Sequence, residues 1–432
     1  MPSTNQVPHL QTALTGPLKE LEQHFIEHSK QIEAWFRKQF QLTPPPFYCS
    51  VDLRNAGYKL APVDTNLFPA GFNNLHPDLR PLAIQAAQQA VQNACPVADG
   101  VLIIPENHTR NLFYLENVFT LKDILENAGY EVEIGSLNPD MTAVTEIELP
   151  SGNTLILKPL KRQDNRVGVE DFFPCAVLLN NDLSGGRPEI LENLHQTLLP
   201  PLDLGWVNRY KTDHFRHYEA VSADFAQLVD IDPWLITPQS IACGPIDFKQ
   251  RLGLECLAGA VNTVLENLQQ QYQKHQISCQ PFVIIKSDSG TYGMSIMSVK
   301  NAEDVLTLNR KQRNKMASVK EGLQVEQMLV QEGVYTYEDI EGAVAEPVVY
   351  MIHNHVIGGF YRVHTGKTAT DNLNSPGMHF LPISFETAGI TPDASQAPDA
   401  TPNRFYAYGV VARLALLAAA REIAETQTKP QT

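Results

Sequence analysis

At 432 residues the chain is too long for one ordinary core, which points to two or three domains. Its formal net charge of −15 excludes a general affinity for nucleic acid or anionic membranes, both of which need clustered Lys and Arg. A local basic pocket for an anionic substrate is still compatible with that charge.

Residues 17–41 carry Leu18, Leu21, Phe25, Ile32, Trp35 and Phe36 among charges, the spacing of an amphipathic helix, and TPPPF at 43–47 stops it. Residues 49–75, CSVDLRNAGYKLAPVDTNLFPAGFNNL, combine a short strand signal with prolines, glycines and asparagines around Arg54 and Lys59. So polar a stretch reads as a recognition loop. Residues 99–135 read as a βαβ unit: a buried strand over 100–104, a helix over 111–128 and a second strand over 130–134. A third apolar strand, CAVLLNND at 175–182, ends in the turn SGGRP. Strands alternating with helices predict a parallel sheet, and ligands of such sheets sit beyond the strands' C-terminal ends, where 180–187 falls.

Past residue 200 the texture changes. The segment GWVNRYKTDHFRHY precedes a helical stretch over 247–275, followed by short strands at FVIIK, QVEQMLVQEGV and EPVVYMI–HNHV–IGGFYRV. An Ala-Pro-rich surface loop near 390–403 and a C-terminal helix close the chain. The expected organisation is a helical segment over 1–47, an α/β domain over 48–200 and a second domain over 201–432. The six cysteines form no CxxC and no close pair, as expected for reduced cytosolic thiols. The N-terminus lacks a basic stretch before an apolar core, and no apolar run reaches membrane-span length. A soluble, cytoplasmic protein with small-molecule partners is expected.

The stretch IIKSDSGTYGMSI, 284–296, sets Lys286 at the end of an apolar run with a Ser/Gly/Thr loop behind it. A strand lysine suits phosphate oxygens, and glycines let backbone N–H groups close over them. A plain hairpin with a solvated lysine is the alternative. Gly290 and Gly293 do not make a GxGxxG, and TGKT at 365–368 fails as a Walker A because Tyr361 stands where its first glycine belongs.

Three later features favour phosphate. Gln331, Glu332, Gly333 and Val334 end an apolar strand as a hinge that could bond an adenine edge. Arg362 ends another strand and could neutralise phosphoryl charge. Asp371, Asn372 and Asn374 cluster hard oxygen donors beside a Pro-Gly turn, which suits magnesium. Taken singly, each could be a turn residue or a solvated side chain. The histidines, His214 with His217 and His353 with His355, have no zinc-like spacing to Cys or Glu.

In that order the segments resemble the ATP-grasp superfamily of carboxylate–amine ligases. The resemblance implies ATP as cosubstrate and Mg2+ as metal. It assigns the phosphates to Lys286, Ser289, Gly290 and Gly293, the hinge to Gln331, Glu332 and Val334, and the metal to Asp371, Asn372 and Asn374. Asn374-Ser-Pro-Gly-Met is close to the Asn-x-x-Pro-Gly-Met of peptide-forming ligases, one residue shorter. Asn372 stands where a glutamate is usual, so Asp371 or Glu346 could supply the missing carboxylate. Lys211 in VNRYKTDHF is similar to an earlier nucleotide-binding lysine.

Nearly the whole chain resembles one family, the ATP-grasp-like glutamate–cysteine ligases of some proteobacteria, the first enzymes of glutathione synthesis. This implies an N-terminal α/β domain followed by an ATP-grasp-like domain over 201–432. Glutamate would be phosphorylated on its γ-carboxylate and then attacked by the amine of cysteine, with Lys286 and Arg362 stabilising phosphoryl charge. Arg54 and Lys59 suit the substrate's carboxylates, Asp52 or Asp64 its ammonium, and Asn55, Asn66, Asn73 and Asn74 its polar edges. Alternatively, Arg54 and Asp52 pair with each other. Other amino-acid pairs, or a nucleotide sensor without turnover, are the rival readings.

Overall fold

A computed structural model describes residues 17–107, 110–289, 295–317, 327–383 and 401–428. Gly290, Gly293 and most of the Ala-Pro-rich stretch lie outside the described residues.

The expected N-terminal helix is two helices, α1 (Pro17–Glu27) and α2 (Ser29–Leu42), interrupted at His28 with φ −96° and ψ 8°. Ile32, Phe36 and Phe40 recur every four residues and face the core. Thr43 turns extended and the prolines follow. The next stretch departs from expectation. Residues 49–75 are largely not a loop: they form β1 (Tyr48–Asn55) and β2 (Leu60–Asn66), an antiparallel hairpin. Its turn explains one asparagine, because Asn55 Oδ1 accepts from the Gly57 N–H at 2.9 Å while Gly57 takes φ +76°. Helix α3 (Arg80–Ala94) follows, with Ala83, Ala86, Ala87 and Ala90 buried along one face.

The βαβ expectation holds. β3 (Gly100–Pro105), α4 (Leu112–Asn127) and β4 (Glu131–Ser136) are followed by β5 (Thr145–Glu148), β6 (Thr154–Pro159), the small pair β7 (Lys161–Gln163) and β8 (Arg166–Gly168), β9 (Ala176–Asn180) and β10 (Thr197–Leu199). The sheet order is β10-β9-β3-β4-β6-β5, parallel except for β5 against β6. β3 and β9 are buried along their whole length, as parallel strands covered on both faces must be. Contrary to expectation, two cysteines are not free thiols: Cys95 and Cys175, separated by 80 residues, form a disulfide. The spacing gave no hint of it, since the fold alone brings the end of α3 to the start of β9.

Helix α5 (Lys211–Val229) leads to β11 (Ser240–Cys243), α6 (Leu254–Lys274), β12 (Val283–Ser287), β13 (Ile296–Val299), the short α7 (Glu303–Leu306) and α8 (Arg310–Met316), and β14 (Met328–Glu332). These strands make an antiparallel sheet, β11-β14-β12-β13, with α6 packed on it. Then come β15 (Asp339–Ile340), β16 (Ala343–Ile352), β17 (His355–His364), β18 (His379–Pro382) and α9 (Thr401–Thr428). The central sheet runs β18-β17-β16-β1-β2, with β15 on β16, so strands from near both ends of the sequence share it.

Helix α9 is apolar nearly all round, and residues 406–420 are all buried. Such a helix must be enclosed, and it lies in one core with α1, α2, α5 and the central sheet. Among the described residues no helix is long and apolar enough to cross a membrane. Leu416→Ala, at a fully buried α9 position, should destabilise the protein by about 2–5 kcal/mol. Urea unfolding checks this.

Candidate active site

The three larger sheets converge on a cavity of about 420 Å³. β1 contributes Asp52 and Arg54, two residues apart and therefore on one face of the strand. β2 adds Asp64 and Asn66, β12 adds Lys286, β14 adds Gln331 and Glu332, and β16 and β17 add Glu346 and Arg362.

One side of the cavity is built around two buried lysines. Lys286 Nζ donates to the Val63 carbonyl at 2.6 Å, joining β12 to β2. Lys211, the first residue of α5, lies 3.6 Å from Asp64 and 3.8 Å above the Trp206 ring. Burial lowers both lysines, Lys286 to about 8, against the opposing pull of Asp64. Asp64 is raised by burial, but Lys211, Lys286 and Arg209 outweigh this and take it to about 2. At neutral pH Lys286 and Asp64 therefore carry opposite charges. Asp288, just past β12, accepts from Thr212 N at 2.8 Å and Thr212 Oγ1 at 2.7 Å, so it fixes the start of α5 and with it Lys211.

Beside them is a network of two guanidiniums and two carboxylates. Glu346 and Arg362 are paired across β16 and β17. Arg362 Nη1 donates to Glu346 Oε1 at 2.5 Å and to Asp52 Oδ2 at 2.8 Å. Arg54 Nε donates to Glu346 Oε2 at 3.0 Å, and its Nη atoms reach the carbonyls of Val334 and Asp371. Arg54 and Asp52 thus use different partners, not each other. Burial would discharge Arg362, but Asp52 and Glu346 hold its pKa above the ordinary arginine value. Asp52 is raised by burial despite Arg362.

Among the described residues, four buried polar atoms of the cavity lining have no hydrogen-bond partner: Trp206 Nε1, Ser287 Oγ, Gln331 Nε2 and Arg362 Nε. Leaving such an atom unpaired costs about 1–3 kcal/mol. Four of them around one cavity describe a receptor for a polar ligand.

Of the residues expected from sequence, the cavity brings together Lys211, Lys286 and Ser289; Gln331, Glu332 and Val334; Glu346 and Arg362; Asp52, Arg54 and Asn66; and Asn372 with Asn374. Five others lie elsewhere, among them Asn74 in the short helical turn Phe72–Asn74. Lys59 is fully buried, bonded to Glu332 Oε2 at 2.7 Å and the Thr237 carbonyl at 2.8 Å, over the Trp234 ring. Asn55 bonds Tyr408 and its own turn. Asn73 lines a separate surface pocket with His76 and Arg80. The Asp371 carboxylate is taken up by Thr368, through N at 2.9 Å and Oγ1 at 2.8 Å. Sequence reasoning missed Trp206, Glu106, Phe113 and Phe380, which also line the cavity. Asp182, another lining residue, belongs to the 180–187 segment that the sequence places at a ligand-binding strand end.

No group of three or more His, Cys, Asp or Glu is gathered as a metal centre among the described residues. The cavity nevertheless presents the oxygens of Asp52, Glu346 and Asn374. One or two carboxylates with substrate phosphates are what magnesium takes, so the donor set fits that ion.

An α/β chain whose sheets enclose buried lysines, paired carboxylates and orphaned polar atoms in one cavity has the equipment of a ligase acting on anionic substrates. The chain belongs to the glutamate–cysteine ligase family, whose model matches residues 22–423. It is accordingly an enzyme of glutathione biosynthesis that joins glutamate to cysteine, with the ATP dependence of its family. A crystal structure of a provisionally named gamma-glutamylcysteine synthetase from Methylobacillus flagellatus KT is 58% identical, covering 97% of this chain and 99% of that one, with a TM-score of 0.91. A glutathione synthetase-like effector from Globodera pallida is 10% identical over 84% of this chain and 80% of its own, with a TM-score of 0.36 that carries no argument. No match was found among curated protein sequences.

Lys59→Ala would strand Glu332 as an unpaired buried charge and should cost about 3–5 kcal/mol. The double variant Lys59→Met with Glu332→Leu should recover most of that loss in chemical denaturation.

Proposed function

We propose that the cavity is the ligase active site, with the nucleotide phosphates on Lys211, Lys286 and Ser289 and the adenine edge at Gln331 to Val334. The observation that carries this reading is the pair of buried lysines lining one cavity with Arg362, whose Nε has no partner among the described residues. Charged donors in a dry site act far more strongly on phosphoryl oxygens than they would in water. The strand arrangement, with a lysine strand paired to a hinge strand, supports an ATP-grasp-like nucleotide domain.

The γ-carboxylate of glutamate attacks the terminal phosphorus of ATP, giving an acyl phosphate and ADP. The amine of cysteine then attacks the acyl carbon, phosphate leaves, and the amine proton passes to solvent or phosphate. Lys286 and Arg362 balance charge on the transferring phosphoryl group. Arg54 holds Glu346 in place, and through the Val334 carbonyl it ties the carboxylates to the hinge. Asp52, Glu346 and Asn374 would hold Mg2+, which when bound neutralises phosphate charge. Asp371 and Asn372 act on the turn that presents Asn374: Asn372 Oδ1 accepts from the Asn374 N–H at 3.0 Å. Lys59 and Asn55 support the site from outside it. Consumption of ATP and of a reduced thiol supports a cytoplasmic setting.

Incubation with Mg-ATP and glutamate, with and without cysteine, tests this through ADP release and product mass. ADP release that needs both amino acids, with a γ-glutamylcysteine mass, is expected; ATP hydrolysis indifferent to either would sink the reading. Lys286→Met should lower turnover by about 10²-fold or more with circular dichroism unchanged. Because Lys286 titrates near 8, it is charged below that pH and loses its charge above it. Affinity for a non-hydrolysable ATP analogue should therefore fall between pH 7 and 9.5, and Lys286→Met should flatten that dependence.

A further inference from the structure

The parallel sheet delivers its own side chains to the cavity, and the mechanism above uses none of them. Asp182 follows β9 and Glu106 follows β3; the two strands are neighbours, and both residues are buried and line the cavity. This is the C-terminal edge, where parallel sheets place ligands. Asp182 Oδ1 accepts from Ser184 N at 3.0 Å and Ser184 Oγ at 2.6 Å, which fixes the carboxylate's orientation. The Trp206 N–H of the backbone donates to the Asp182 carbonyl at 2.9 Å, so the two residues are adjacent. Gly205 makes this possible: a Cβ there would lie 2.5 Å from Leu183 Cβ.

Trp206 supplies an independent sign of a ligand. It is 2% exposed and lines the cavity, yet its indole Nε1 has no partner among the described residues. Its ring lies under Lys211 Nζ at 3.8 Å. Trp206 therefore links Asp182 to Lys211, one of the lysines assigned to the phosphates. A carboxylate and an indole N–H lining one cavity complement the ammonium and carboxylate of an α-amino acid. Phe113 and Phe380, stacked with centroids 6.0 Å apart, add an apolar wall to the same cavity.

We infer that Asp182 and Trp206, at the edge of the parallel sheet, form the receptor for the α-amino-acid head group of a substrate, Asp182 taking the ammonium and Trp206 the carboxylate. This rests on the ligase reading, and both glutamate and cysteine carry that head group. An amino acid held here lies beside the phosphoryl group, where either would have to react.

The test is calorimetric binding of glutamate and of cysteine, each alone and with a non-hydrolysable ATP analogue, to the full-length protein and to two variants. Asp182→Asn keeps the acceptor that Ser184 needs and removes the charge; Trp206→Phe keeps the ring under Lys211 and removes the N–H. Loss of one charge-assisted hydrogen bond corresponds to about tenfold or more in affinity. The expected result is that Asp182→Asn weakens one amino acid at least tenfold, that Trp206→Phe weakens the same one, and that affinity for the analogue changes less than twofold. Which amino acid responds identifies the occupant. Unchanged affinity for both amino acids in a folded Asp182→Asn protein, or equal loss of the nucleotide analogue, overturns the inference, as does absence of amino-acid binding to the unaltered protein. Amino-acid binding without turnover would instead count against the ligase reading and leave the receptor standing.

Discussion

The pairing of β1 with β16 is the constraint on which the rest of the structure depends. It places Tyr48 opposite Ile352 and Asp52 opposite Val348, so a strand from the first part of the chain lies inside a sheet completed by the last part. Only in that register do Asp52 and Arg54 reach Glu346 and Arg362. A slip of one residue would turn both to the opposite face. Helix α9, buried beneath the same sheet, leaves the sheet no freedom to flatten or slide.

The site's electrostatics follow from this packing. Within this acidic protein the cavity is lined by charges of both signs, paired unequally: the lysines gather on one side and the carboxylates of Asp52 and Glu346 on the other. Asp64 faces two lysines, and the Arg362 guanidinium contacts two carboxylates while its Nε has no partner among the described residues. Burial strengthens each of these interactions. It also accounts for Lys286, displaced from its ordinary range to about 8 by loss of water.

Much of this was legible in the sequence. The strand over 100–105, the helix after it and the strand over 176–180 were visible because parallel strands buried on both faces are continuous apolar runs. Lys286 was visible because an apolar run ends on it. β1 and β2 were misread because polarity was taken for exposure. Asp52, Arg54, Lys59 and Asp64 are strand or hairpin residues whose charges are met by distant partners, Lys59 by Glu332 and Arg54 by Glu346. Composition cannot report a partner 273 or 292 residues away. The same holds for Cys95 with Cys175, and for Trp206, whose importance lies in what it touches.

The burial of α9 and the separation of β1 from β16 also bear on synthesis. A ribosome releases β1 and β2 long before β16 and α9 exist, so the two strands must wait as an unpaired hairpin. An apolar hairpin left in that state would invite pairing with other chains. The charges of Asp52, Arg54, Lys59 and Asp64, which disguised these strands in the sequence, keep the waiting hairpin in water until its partners arrive.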